Sequence, residues 1–207
     1  MTFIRQFISL ILLASCLMAQ EVDQQSSLAI VLKKDLPRGF DLDFLHDLRS
    51  KEDNSTLKKS ITELGLTYKL TKYLRLGTAY RYSIYPDKFS ERGSAHVLLS
   101  FKTGPLTHRA RLKFQRDEAS DALSQDYLRY RYTLRHKRIY GYRPFIDLEN
   151  FRHLEESEDE KRRLDIGFNK KLNKRTNLEL YYRFQEELNV KNPKSVRLLG
   201  LKFVIEI

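Results

Sequence analysis

Arg109 and Arg111, Arg129 and Arg131, and Asp147 and Glu149 each stand two residues apart, and Arg81, Asp165 and Arg183 lie in similar alternating stretches. Two-residue spacing puts side chains on one face of an extended strand. A face of guanidinium groups, with carboxylates on neighbouring segments, suits ion pairing, water or a bound anion. These nine residues are therefore expected to line a polar interior. Ser94 and His96 have the same spacing, close enough for an imidazole to act as base for a hydroxyl, as a lipid hydrolase would require. Ala95, Val97, Leu99 and Phe101 claim the opposite, apolar face, so this pair faces away from any lipid substrate. No Gly-x-Ser-x-Gly elbow occurs either. His46, His108, His136 and His153 are scattered one per segment, without metal-ligand spacing. An enzyme is not expected, and neither a metal nor another cofactor is indicated.

The elements that carry these residues are legible from composition and period. The chain has 207 residues, 31% of them charged, which excludes a bundle of membrane helices. A hydrophobic fraction of 41% with 12 Tyr and 12 Phe excludes a disordered chain. The net charge of +11 fits nucleic acid, an anionic membrane or an anion-lined cavity. Basic residues alternate with apolar ones instead of clustering in a helix or tail, so nucleic acid is not the expected partner.

Residues 1–19 read as a cleaved signal peptide: Arg5, an apolar run from Phe7 to Met18, and Ala19-Gln20 as the cleavage site. Leu13-Ala14-Ser15-Cys16 also fits a lipoprotein box, which would make Cys16 a lipidated terminus, although the apolar run continues past it. Residues 20–207 then form one domain.

Within that domain, segments of roughly ten residues carry apolar side chains at every second position. Leu199, Leu201, Phe203, Ile205 and Ile207 oppose Gly200, Lys202, Val204 and Glu206, and Leu128, Tyr130, Tyr132 and Leu134 oppose Arg129, Arg131 and Arg135. Short connections at Pro37-Arg38-Gly39, Thr71-Lys72-Tyr73, Gly104-Pro105, Arg138 to Tyr142 and Asn173-Lys174-Arg175 alternate with longer polar ones at 51–56, 86–92, 118–124, 156–160 and 190–194. One uncovered apolar face per strand, short turns at one end and longer loops at the other predict an all-β, antiparallel, up-and-down transmembrane β-barrel. Its short turns would be periplasmic and its longer loops outer. Eleven segments are visible, and single-chain barrels of the outer membrane have even strand numbers. Ten strands are therefore expected, with Ser26 to Leu36 outside the wall, or twelve if one segment divides. A soluble periplasmic β-protein is the structural alternative.

Antiparallel pairing predicts specific neighbours. Around Lys174, Leu164 meets Phe184, Ile166 meets Tyr182 and Asp165 meets Arg183. Around Lys72, Leu64 meets Tyr80 and Glu63 meets Arg81. Around Ile139, Arg131 meets Asp147 and Arg129 meets Glu149.

Glu63-Leu64-Gly65-Leu66-Thr67-Tyr68-Lys69-Leu70, Leu172-Asn173-Lys174-Arg175, and Glu187 to Pro193 followed by Leu199-Gly200-Leu201 resemble an uncharacterised group of bacterial proteins catalogued as a domain of unknown function. That resemblance implies an outer-membrane β-barrel-like fold and compartment and carries over no catalytic or ligand residue. The functional expectation is a cell outer-membrane barrel in contact with outer-membrane lipids, acting as a narrow anion-preferring pore or a barrel that binds small anionic solutes. The alternative is a structural barrel plugged by paired charges.

Overall fold

The computed structural model describes residues 22–51, 56–120, 122–155, 158–189 and 193–207. The expected signal peptide and Cys16 lie outside the described residues. Eleven strands follow in chain order: β1 (Val22–Asp35), β2 (Phe40–Lys51), β3 (Thr56–Lys69), β4 (Leu74–Ile84), β5 (Phe89–Thr103), β6 (Leu106–Ala119), β7 (Ala122–His136), β8 (Tyr142–His153), β9 (Asp159–Lys171), β10 (Thr176–Glu187) and β11 (Ser195–Glu206). They close into one barrel in which each strand pairs antiparallel with its sequence neighbours.

The wall is closed by β1 and β11, which pair in parallel, Leu28 beside Leu201 and Ile30 beside Phe203. The wall formed by the described residues therefore has eleven strands, and the expectation of ten, with Ser26 to Leu36 outside, is corrected. Parallel ladders satisfy backbone donors and acceptors as antiparallel ones do, so parity gives way once β1 offers a matching apolar row. An odd count also separates the strand ends. Val22 lies beside Ser195 at one rim, whereas the Ile207 amide bonds the Lys33 carbonyl at the other.

Alternation sorts the side chains. Leu64, Tyr80, Val97, Leu112, Tyr130, Leu148, Ile166, Tyr182 and Leu199 point outward and are exposed, while the charged partners between them are drawn inward. The outward ladder pairs greasy residues as expected, Leu64 with Tyr80, Leu164 with Phe184 and Ile166 with Tyr182.

Connections are short at both ends, because β5 and β6 continue through residues 89–92 and 118–119, which the sequence pattern predicts as loop. One set, called here the turn end, falls at 36–39, 70–73, 104–105, 137–141 and 172–175. The other, the loop end, falls at 52–55, 85–88, 120–121, 154–158 and 188–194. Only the last of these is appreciably longer than its counterparts at the turn end. Turn-end connections are built by local chemistry. The Thr71 hydroxyl accepts from the amides of Tyr73 and Leu74, and the Asn173 side chain accepts from those of Arg175 and Thr176. Tyr140 and Gly141 take positive φ of 49° and 84° between the mutually bonded Ile139 and Tyr142. That is a two-residue hairpin turn, which needs left-handed residues at both positions.

The position of this turn corrects one predicted register. Arg131 stands opposite Glu149 and Arg129 opposite Phe151, two residues away from the expected pairing. The turn centres on Tyr140-Gly141 rather than on Ile139, and the ladder moves with it.

Candidate functional site

All nine arginines and carboxylates predicted to line the interior lie on the inward face of their strands. The structure brings most of them into pairs. Asp165 accepts two hydrogen bonds from Arg183 at 2.7 Å each, and Glu63 accepts from Arg81 at 2.7 Å. Despite the register correction, Arg131 is paired with Asp147 and Arg129 with Glu149, the latter at 2.8 Å. A guanidinium on a long stem covers the diagonal step between strands. Glu149 also takes Arg111 at 3.1 Å and Arg163 at 2.9 Å, so three arginines converge on one buried carboxylate.

Arg109 is the exception. Among the described residues it forms no ion pair, and its buried Nε has no hydrogen-bond partner. Its side chain lines an interior cavity of about 590 Å³ together with Arg111, Lys113, Arg131 and Arg135 on one wall and Asp41, Asp43 and Glu63 on the other. Most of the acids are already engaged: Asp41 with Lys69 at 2.7 Å, Asp43 with Lys33 at 3.3 Å, and Glu63 with Arg81. The β7 cations of the cavity, Arg131 and Arg135, are also paired, so the unpaired positive charge inside it lies on β6, at Arg109 and Lys113. The cavity reaches the turn end at the exposed residues Lys34 and Asp35.

Toward the loop end the interior is filled. Ser27, Asp47, Ile61, Ser83, Ser94, Gln115, Arg129, Phe151, Asp165, Arg183 and Leu198, one from each strand in order, are no more than 9% exposed. Each lies on the loop side of the cavity-lining residues of its own strand or its neighbours. Arg129 and Arg163 stack on Phe151, at 4.1 and 4.8 Å to the ring centre. This gives the charged groups aromatic faces in place of water. Tyr181 lies across the interior over Gly200, with Gly167 on its other side; a β-carbon at either glycine would overlap Tyr181. The cavity is thus blind: open at the turn end, with a packed floor.

Ser94 and His96 do not form a catalytic pair in this arrangement. Ser94 is buried and donates to the Ala79 carbonyl at 3.2 Å. His96 instead faces Lys113 across the β5–β6 ladder and lines the cavity. Lys113, at 5% exposure, forms no hydrogen bond or ion pair among the described residues. Along the sequence Lys113 continues the two-residue spacing of Arg109 and Arg111, with nothing to mark it as unpaired, and the spacing of His96 from Ser94 suggests only a base. Their shared wall depends on the β5–β6 register and on Gly77, where a β-carbon would strike the His96 ring.

At the loop-end rim, beyond the outward apolar row that ends at Phe114, Arg116 holds Asp126 by two hydrogen bonds of 2.7 and 2.8 Å. This keeps the Asp126 carboxyl below its ordinary pKa.

Residues 25–196 match the family described as protein of unknown function (DUF2490). The chain belongs to this family. No curated protein matches it. Among solved structures it is similar to an anion-selective porin from Comamonas acidovorans, with 12% identity and a TM-score of 0.43 over 81% of this chain and 53% of the porin. It is also similar to the siderophore receptor PirA from Pseudomonas aeruginosa, with 10% identity and a TM-score of 0.32 over 79% of this chain and 35% of the receptor. The chain thus spans about half the length of the first and about a third of the second.

Proposed function

We propose that this protein is an outer-membrane β-barrel that binds small anionic solutes in its blind cavity from the turn end. Membrane residence is supported by the outward row of exposed Leu, Ile, Val and Tyr around the wall, which no second layer among the described residues covers. The amino-terminal export signal read from the sequence supports the outer membrane of a Gram-negative cell, with the turn end facing the periplasm.

The observation that carries the binding reading is Arg109: an unpaired guanidinium inside a barrel is tolerable only where water or an anion reaches it. Lys113 and His96 extend the same basic wall inward. The packed ring on the loop side favours binding over free passage, so the narrow-pore alternative requires that ring to move. The catalytic alternative loses its support, because the Ser94 hydroxyl is committed to a backbone carbonyl.

The test is calorimetric titration of the refolded barrel with inorganic phosphate, alongside planar-bilayer recording. Binding that weakens with salt and is lost in the Arg109→Glu, Arg111→Glu double variant, with conductance small or absent, is the expected result. A folded barrel that binds no anion would leave a structural barrel plugged by its own ion pairs.

A further inference from the structure

The two ends of the barrel differ in charge far more than in length. The turn-end connections contain Arg38, Lys72, Lys137, Arg138, Lys174 and Arg175 and no carboxylate. All six are exposed, and none forms an ion pair among the described residues. The loop-end connections instead carry Glu52, Asp53, Asp87, Asp121, Glu155, Glu156 and Glu158 in sequence, against Lys88, Lys191 and Lys194.

Apolar groups stand between the turn-end cations. Leu70, Tyr73, Ile139 and Leu172 are about half exposed, and Tyr140 is 97% exposed at the tip of its hairpin. The Lys72 ammonium lies 4.9 Å over the Tyr73 ring, and that of Lys170 lies 5.1 Å over Tyr142. Bare apolar residues occur at the loop end too, Leu123 at 90% exposure among them. What sets the turn end apart is their interleaving with unpaired cations, which suits the zone between hydrocarbon and water, where amphipathic rings and long cationic stems both gain.

We propose that the turn end is a collar that binds the phosphodiester headgroups of anionic phospholipids in the leaflet it borders. The proposal rests on the membrane reading above but not on the lumenal cavity. Asp35, the exposed carboxylate beside the first of these connections, is already set against Lys69. Anionic headgroups would supply counter-charge to the six unpaired cations, and basic residues at a membrane edge are attracted to them individually. The collar would fix the orientation of the barrel and enrich acidic lipid around the cavity mouth.

The chain contains no Trp, so Tyr140→Trp gives a single reporter at the collar and Phe89→Trp, at an outward position 44% exposed beside Ile84, a control at the loop end. Each is refolded into phosphatidylcholine vesicles carrying either acyl-brominated phosphatidylglycerol or acyl-brominated phosphatidylcholine at equal mole fraction. The expected result at Tyr140→Trp is stronger quenching by the glycerol lipid, corresponding to roughly tenfold relative affinity. This preference should be reduced by salt and lost on adding Lys137→Gln and Arg138→Gln. The loop-end reporter should show little preference. Equal quenching at both ends by both lipids, in a barrel whose gel mobility shows it folded, overturns the collar alone. Quenching by neither lipid at either reporter overturns the membrane reading with it.

Discussion

Arg131 is bonded to Asp147, although the residue directly opposite it across the β7–β8 ladder is Glu149. The ladder sets which backbones meet; the long guanidinium then selects its carboxylate diagonally, leaving Glu149 to Arg111, Arg129 and Arg163. Cysteine pairs separate the two relationships. Opposed residues hold their β-carbons about 4.5–5.5 Å apart, and diagonal ones are farther. Arg131→Cys with Glu149→Cys should therefore cross-link faster on mild oxidation than Arg131→Cys with Asp147→Cys. The reverse order would restore the register expected from a turn at Ile139.

Asp165 and Arg183 form a buried, two-bonded pair. Removing one member leaves an uncompensated charge, so Asp165→Leu should cost about 3–5 kcal/mol. Replacing both, with Arg183→Met added, should recover most of the loss. Urea unfolding in detergent micelles measures both, and additive losses would show that the two side chains do not act as a pair.

Tyr181 fills space that Gly200 leaves vacant. Gly200→Val should force the ring out of its site and destabilise the barrel by about 1–3 kcal/mol, as overpacking does. Tyr181→Ala in the same chain should relieve the clash while opening a void. A Gly200→Val barrel as stable as the parent would mean that the ring is not held there.

The packed ring around Gln115, Arg129 and Phe151 closes the interior toward the loop end. Trimming it by Phe151→Ala with Gln115→Ala should raise single-channel conductance well above that of the parent in planar bilayers. If the parent already conducts as strongly as this variant, the cavity is a pore and not a blind site.

Val22 and Ile207 sit at opposite rims. In intact cells a membrane-impermeant maleimide should therefore label Asp23→Cys, at the loop end, and spare Lys174→Cys, at the turn end. Labelling of Lys174→Cys alone would invert the assignment of ends.

The alternation of residues determined a great deal by itself. A period of two around Leu128 to Arg135 and Leu199 to Ile207 fixes which side chains share a face, and one apolar face per strand over so many strands leaves little choice but a closed wall. The pairs Asp165–Arg183 and Glu63–Arg81 were legible because the turns at Asn173 and Thr71 set the register through local side-chain bonds. Closure itself was not local. The parallel match of β1 with β11 joins segments far apart in sequence, and no turn records it, so strand parity misled where geometry did not. The fate of each charge was decided in three dimensions as well. Arg109 and Arg111 look alike along the strand, yet Glu149 reaches one and not the other. His96 and Lys113 share a wall only because β5 and β6 align them beside the small Gly77. Period is a property of the chain, but which inward cation remains unpaired depends on the summed reach of side chains from every strand around the barrel.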